Sequence, residues 1–310
     1  MKFVVVGSGG VGGFFGGKLA QHGEEVWFLA RGRHLAAMQR EGLRVAAADG
    51  AFTIPPGRMA DTLSAAGPAD VILFCVKTYD TESAAALLAP VLTDQSVVLC
   101  LQNGINNEEK IERLIPRGTA YGGAAYVYAT VTEPGVVTQP GGPTRIVFGP
   151  RDPRDTRASV IRRVLADTGI RADVADDLPA ALWTKFIFIT AVGGITAMTR
   201  LTLGDLLGTT ESRLLLEKAM REAESIARAL KIRVPDGIVP RMFENLKSMA
   251  TDTYSSMYHD LVNHRPLELD AFSGTLLRYG KDLGVPTPTH EVIYASLLPH
   301  HLKHLDARGH

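Results

Sequence analysis

Two ionisable residues stand where ionisable residues are costly. Lys185 lies inside LPAALWTKFIFITAVGGITAMT (178–199), an almost wholly apolar run with no acid nearer than Asp177. Glu268 lies between Leu267 and Leu269 in RPLELDAFSG. A buried charge shifts its pKa or finds a counter-ion, so the two fit a charge pair across a cleft, one member from each of two helical segments. Such a pair is either a structural salt bridge or a proton donor with its supporting carboxylate, and spacing alone leaves both readings open. As chemistry, a protonated lysine within hydrogen-bond reach can neutralise negative charge that builds on a nearby oxygen. Desolvation lowers a lysine pKa and a nearby carboxylate raises it, so Glu268 would keep Lys185 charged until needed. Ser256 and Asp260, in SSMYHD, are the other polar candidates of that half.

A dinucleotide-binding loop is written at the other end of the chain. VVVGSGGVGGFFG holds G-x-G-x-x-G at Gly7, Gly9 and Gly12, with Ser8, Gly10 and Val11 between them. The motif follows an N-terminal strand and opens a helix, the context in which its glycines let backbone approach a pyrophosphate at the helix N-terminus. An NAD site usually ends its second strand with an acid for the ribose 2′-hydroxyl. Here EVWFLARGRH ends in Arg31 and Arg33, which favours NADP, with a guanidinium on the 2′-phosphate; a solvated arginine is the plainer alternative. Lys77 in FCVKTYD and Asn103 in CLQNGINN each follow an apolar strand, where open α/β sheets bind ligands. Both would face the nicotinamide end, or serve as ordinary loop residues.

The elements that must position these residues read as an α/β half followed by an all-α half. KFVVVG, EVWFLA, DVILFCV and SVVLCL are near-continuous apolar strands, as in a buried parallel sheet, and helices are expected at Gly10–His22 and Thr81–Leu92. Shorter strands follow in TAYGGAAYVYATV, GVVTQPGG and TRIVFG. ADVADDLPAALWTK then opens a helix with acids expected in its first turn, and helical periodicity runs on to His304, broken at RVPDG and GVPTP. The expected organisation is a doubly wound Rossmann-like domain over 1–175 and a helical substrate domain over 176–310.

Across the 310 residues, 33 Lys and Arg balance 33 Asp and Glu, which removes any global attraction to nucleic acid or an anionic membrane. Cys75 and Cys100 lie in apolar strands outside any C-x-x-C pair and read as buried reduced thiols. MKFVVVG enters a strand without a signal-peptide pattern, and the run around Lys185 reads as too interrupted to span a membrane; a cytoplasmic protein is expected. His300 and His304 sit at metal-ligand spacing, but no third ligand is evident; a solvated helix end is expected and no metal. LLLEKAMREAESIARAL carries an apolar stripe that fits a homodimer face or the interior of its own domain.

Taken together, GSGGVG, CVKTYD, LQNGINN, LWTKF, SSMYHD and RPLELDAFSG resemble the ketopantoate reductase (2-dehydropantoate 2-reductase) family, in order and over almost the whole chain. The resemblance implies NADPH-dependent reduction of 2-dehydropantoate to (R)-pantoate, in pantothenate and coenzyme A synthesis. By motif position it puts Lys185 on the general acid and Glu268 on the carboxylate that supports lysine, substrate and cofactor. Ser256 falls on a substrate-binding serine, Lys77 and Asn103 on the residues at the nicotinamide ribose and substrate end, and Arg31 on the 2′-phosphate ligand.

One departure bears on the substrate. The family usually places asparagines four and eight residues after the lysine, where this chain has Ile189 and Gly193, although Thr196 and Ala197 still match. At about 100° per residue, positions 189, 193 and 196 share the lysine's face. Two missing hydrogen bonds, each roughly 0.5–1.5 kcal/mol net, amount to about a hundredfold in affinity. Either other residues compensate, or the substrate is a different, less hydroxylated 2-oxo acid. A redox sensor that only binds NADPH would keep the glycine loop and Arg31, but would have little use for Lys185 and Glu268.

Overall fold

The computed structural model describes residues 1–247 and 252–306, so the last residues of the expected helical domain, 307–310, lie outside the described residues. Two compact units divide the chain, Met1–Leu178 and the residues from Pro179 onward.

The first unit runs β1 (Lys2–Val6), α1 (Gly10–Gln21), β2 (Glu25–Leu29), α2 (Gly32–Glu41), β3 (Leu43–Ala47), β4 (Gly50–Ile54), β5 (Met59–Ala60) and β6 (Val71–Phe74). It continues with α3 (Thr81–Ala85), β7 (Val97–Cys100), α4 (Asn107–Leu114), β8 (Thr119–Tyr126), β9 (Thr130–Glu133), β10 (Val136–Gln139), β11 (Arg145–Gly149), α5 (Arg157–Asp167) and β12 (Arg171–Val174). Eight strands form one sheet in the order β12-β11-β8-β7-β6-β1-β2-β5, parallel except at β11–β8. Alternate residues feed separate cores on its two faces. Phe3, Val5, Leu73 and Leu99 join Phe14 and Phe15 on one side; Val4, Val6, Ile72, Phe74 and Val98 join Leu88 and Ile111 on the other. That two-sided burial is why β1, β6 and β7 read as continuous apolar runs.

A second sheet, β4-β3-β10-β9, was not expected from the sequence. Its β3–β4 hairpin turns through Ala48–Asp49, and Gly50, paired with Ala47, opens β4 at φ +135°. Helix α1 lies between the two sheets, and its glycines allow the approach. A Cβ at Gly16 would lie 2.5 Å from Val5 Cγ2 in β1, and one at Gly17 would lie 2.8 Å from Val45 Cγ2 in β3. The expected helix Thr81–Leu92 is shorter: α3 ends at Ala85, and a single 3₁₀ turn at Ala89–Val91 carries Pro90, which lacks the N–H that a continuing helix needs.

The second unit is helical: α6 (Leu178–Thr199), α7 (Leu203–Gly208), α8 (Thr210–Ala229), α9 (Ile238–Lys247), α10 (Ser256–Val262), α11 (Ser273–Leu283) and α12 (Pro288–Asp306). The acids expected in the first turn of α6 precede it instead: Asp176 and Asp177 lie before Leu178, and Pro179 takes an early helical position that needs no N–H donor. The threonines and glycines expected to interrupt this run do not. Thr184, Thr196 and Thr199 donate their hydroxyls to the carbonyls of Ala180, Val192 and Ile195, each at 2.7 Å, so these three hydroxyls are satisfied within the helix. Gly194 admits α12, since a Cβ there would lie 2.7 Å from Ile293 Cγ2. By length and composition α6 is therefore able to cross a membrane, contrary to expectation, yet 61% of its most apolar window is buried inside the protein, as in a core helix.

The apolar stripe of α8 is used inside this unit: Leu216, Ala219, Met220, Ala223, Ile226 and Ala227 are buried, while Leu214 stays exposed. The end of α12 is not the solvated one expected. His301 and His304 are buried, with the His304 ring 5.3 Å from that of His264. Among the described residues no group of three His, Cys, Asp or Glu side chains is placed to hold a metal.

Candidate active site

In the first unit, four neighbouring parallel strands deliver the candidate residues at their carboxyl ends. Gly7–Gly12 follow β1, Arg31 follows β2, Lys77 follows β6 and Asn103 follows β7. Gly7 takes φ +94°, a conformation that favours glycine, and a Cβ on Gly12 would lie 2.3 Å from the Gly7 carbonyl oxygen. Ser8 anchors the loop. Its hydroxyl donates to the Leu29 carbonyl at 2.9 Å, and its own carbonyl lies 2.9 Å from His34 Nε2. His34 Nδ1 in turn accepts the Gly135 N–H at 2.9 Å, which leaves the ring proton on Nε2, facing Ser8. Burial holds the His34 pKa below its ordinary value, against the pull of the Ser8 carbonyl.

The loop fits a dinucleotide phosphate. Helix α1 starts at Gly10 behind Gly9, which has no side chain to cap the first N–H groups, and its first turn carries no acid. A Cβ on Gly9 would meet nothing within 4 Å, so space lies open there, and Val11 in the first turn is only half-buried. These free amides and the helix dipole suit a pyrophosphate.

Arg31, at the N-cap of α2, is 71% exposed and its guanidinium lies 2.6 Å from the Asp80 carboxylate. Asp80 closes the 3₁₀ turn Thr78–Asp80 that follows Lys77. This counter-charge was not foreseen. Nor was Gln102, which ties the two strand ends together: its amide donates to the Val76 carbonyl at 3.0 Å and to Thr81 Oγ1 at 2.8 Å. Asn103 gives its carbonyl to the Asn107 side chain at 3.0 Å. No local pattern marks a glutamine for such a task; only the neighbouring strand order does.

In the second unit, α6 carries Lys185 and the segment between α10 and α11 carries Glu268. The side chain of Lys185 is half-buried and its pKa is drawn down to about 8, because desolvation outweighs the opposing attraction of the Glu268 carboxylate. Glu268 is only 6% exposed, and its carbonyl accepts the Phe272 N–H at 3.1 Å.

Two further contacts hold the Glu268 segment. His301 Nδ1 accepts the Leu267 N–H at 3.1 Å, and His301 Nε2 lies 3.7 Å from Asp270. Tyr294 donates its hydroxyl to Asp270 at 2.7 Å. Asp260 is buried, with the Arg265 guanidinium 3.9 Å away. Ser256 is the exposed first residue of α10, and the hydroxyl that caps this helix belongs to Ser255. Ser255 Oγ accepts the Tyr258 N–H at 3.0 Å and lies 2.6 Å from the Thr196 hydroxyl oxygen, pinning α10 to α6. Ile189 is half-buried on α6, and Gly193 is buried.

The first part of the chain matches the family model described as ketopantoate reductase PanE/ApbA over residues 3–153, and the second matches its C-terminal model over residues 177–300. The chain is 29% identical over 289 residues to a 2-dehydropantoate 2-reductase of Halobacterium salinarum, covering 93% of this chain and 95% of that one. A solved 2-dehydropantoate 2-reductase from Geobacter metallireducens is similar with a TM-score of 0.90 and 31% identity, covering 96% of this chain and 99% of that one. A D-mandelate dehydrogenase solved with NADH and anilino(oxo)acetate shares the fold, with a TM-score of 0.90 at 24% identity over 98% and 99% of the two chains. The chain belongs to the ketopantoate reductase family and is an NADP-dependent oxidoreductase acting on ketone and CH–OH groups.

Proposed function

We propose that this protein reduces a 2-oxo acid to the corresponding 2-hydroxy acid with NADPH, and that Lys185 is the general acid. The family relatives make 2-dehydropantoate, reduced to (R)-pantoate, the first candidate substrate. The observation that carries the reading is the state of Lys185. A solvent-exposed salt bridge leaves a lysine pKa at or above its ordinary value, whereas here burial draws it down to about 8 with Glu268 pulling the other way. A proton donor for neutral pH needs a pKa in that range.

NADPH, when bound, would supply the hydride; the backbone of Gly7–Gly12 would hold its phosphates and Arg31 its 2′-phosphate. Lys185 gives a proton from Nζ to the substrate's carbonyl oxygen as negative charge grows there, so the ketone gains one hydride and one proton. The lysine, left neutral, takes its proton back from solvent. Glu268 pulls the Lys185 pKa upward and so helps keep the ammonium charged beforehand. Lys77 and Asn103 hold the nicotinamide ribose and the adjacent part of the substrate; Ser256 and Asp260 complete the substrate's polar contacts.

A second reading, favoured by Ile189 and Gly193, replaces 2-dehydropantoate by a less hydroxylated 2-oxo acid. A sensor that binds NADPH without turnover gives no reason for the Lys185–Glu268 coupling. Incubation of the pure protein with NADPH and a panel of 2-oxo acids, followed at the nicotinamide absorbance band, tests all three. Oxidation of NADPH by none of them would remove the enzymatic reading.

We further propose a cytoplasmic homodimer. Cys75 and Cys100 form no disulfide, which suits a reducing compartment. Val292 and Leu214 are exposed apolar residues of α12 and α8, and Val292 lines an open groove of about 640 Å³ with Met198, Leu215, Val285 and Pro286. A monomer mass by light scattering at micromolar concentration would exclude the dimer.

A further inference from the structure

We infer that the wall beside Lys185 is built for an apolar substrate side chain without a hydroxyl, and that Phe272 sets this preference; the inference rests on the reading of Lys185 as proton donor to a 2-oxo acid. Each of three polar candidates has an apolar neighbour. Gly193 lies two turns after Lys185 on α6, Phe272 one turn after Glu268, and Met257 directly after Ser256. These three neighbours meet. A Cβ on Gly193 would lie 3.3 Å from Phe272 Cε2, 3.5 Å from Phe272 Cδ2 and 3.9 Å from Met257 Cβ. The space that a polar side chain at position 193 would enter is therefore held by an aromatic ring.

The ring is fixed there. Phe272 is 3% exposed and meets Phe186 edge-on at 6.2 Å, and Phe186 meets Trp183 edge-on at 5.4 Å. The Phe272 N–H donates to the Glu268 carbonyl at 3.1 Å, so the two residues share one turn of backbone. One turn before Gly193, Ile189 adds a branched alkyl group to the same helix. The next polar group along is already engaged: the Thr196 hydroxyl lies 2.7 Å from the Val192 carbonyl and 2.6 Å from Ser255 Oγ, which itself accepts from Tyr258. A substrate hydroxyl directed at Ile189, Gly193, Met257 and Phe272 would leave water and find no strong hydrogen-bonding partner, whereas a methyl or larger alkyl group would find carbon.

The test compares 2-dehydropantoate with 3,3-dimethyl-2-oxobutanoate, its analogue lacking only the hydroxyl oxygen, at saturating NADPH. Apolar sites reject an added hydroxyl by no more than about a hundredfold, so kcat/KM is expected to favour the deoxy analogue by about 10- to 100-fold. The double variant Gly193→Asn/Phe272→Ala, which places an amide in the space the ring vacates, should lower that ratio at least about tenfold, chiefly through KM for 2-dehydropantoate. Equal or better use of 2-dehydropantoate by the native enzyme overturns the inference while leaving Lys185 its role. A folded double variant that keeps the native ratio removes Phe272 as the determinant. Turnover of neither compound, nor of any other 2-oxo acid, defeats the catalytic reading beneath it.

Discussion

His301 accepts the backbone N–H of Leu267 through Nδ1 at 3.1 Å, one residue before Glu268. The carboxylate that supports the proposed acid is thus held through a main-chain bond to a helix more than thirty residues further on. Because Nδ1 accepts, the ring proton resides on Nε2, on the side of Asp270 at 3.7 Å. His301→Leu leaves a buried N–H unsatisfied, for about 1–3 kcal/mol of stability, and loosens the Glu268 segment. The expected result is a lower melting temperature together with a more acidic upper limb in the pH–rate profile, since Glu268 then raises the Lys185 pKa less. His301→Asn, which keeps an acceptor, should restore part of both. A lower melting temperature with an unmoved pH profile would make the contact merely structural.

The same histidine gives a pH dependence of stability. Burial depresses the His301 pKa, with Asp270 opposing, and burial depresses that of His34 as well. A depressed folded-state pKa means that the unfolded chain binds the proton first. Stability is then complete above the ordinary histidine pKa of about 6.5 and is lost as pH falls below it toward the folded values. Urea titrations between pH 7 and pH 5 should show falling stability, with a shallower slope in the His34→Gln/His301→Asn variant. An equal slope in both proteins would assign the loss to other groups.

Cofactor choice depends on Arg31 and on the acid that meets it. Loss of a charged contact to a 2′-phosphate is worth roughly 1.5–3 kcal/mol, so Arg31→Ala should weaken NADPH about ten- to a hundredfold and NADH far less. The Arg31–Asp80 bridge at 2.6 Å is exposed on the arginine side, and such bridges are worth no more than about 1 kcal/mol. Asp80→Asn should therefore tighten NADPH only a few-fold, by releasing the guanidinium to the phosphate. Titration of nicotinamide fluorescence measures both. Equal effects of Arg31→Ala on the two cofactors would end the 2′-phosphate assignment.

Much of this was legible in the chain, and what was not shares a physical cause. Gly7–Gly12 could be read because the loop follows its strand and opens its helix within a few residues. Lys185 and Glu268 stood out because a charge among apolar neighbours is anomalous wherever it falls. The second sheet was hidden because β3 pairs in parallel with β10, about ninety residues later, and local alternation says nothing about such a partner. His301 was hidden because its partner is a backbone N–H, which no residue type announces. Phe272 reads from sequence as one more core aromatic, and its role depends on which helix lies against it. The apolar character of α6 was visible, but its continuity was not, because threonine hydroxyls that bond back to their own helix do not break it.

The last expectation concerns Lys185, whose two readings differ in whether activity is lost with the fold or without it. Its folded pKa of about 8 lies below the unfolded lysine value of about 10.5, so the folded state favours the neutral amine. Holding the ammonium therefore costs stability below about pH 8, and that cost disappears as pH rises from there toward 10.5. Replacing the coupled pair by neutral groups of similar size, Lys185→Met/Glu268→Gln, should leave the protein at least as stable at neutral pH, in line with other buried ion pairs. Removing one partner alone leaves a lone charge buried, and a pair that is only a structural salt bridge then loses its activity through about 3–5 kcal/mol of lost stability. Catalysis separates the readings again. Lys185→Ala should lower kcat by about 10²–10⁴ while NADPH still binds, because its proton is given in the transition state. Glu268→Ala should act more through KM. The Lys185→Ala/Glu268→Ala double variant should lose less than the product of the single losses, since neither residue works normally without the other. Melting curves of these variants, read beside single-turnover rates, decide the matter. A folded, NADPH-binding Lys185→Ala protein with near-native kcat would falsify the assignment of the proton donor.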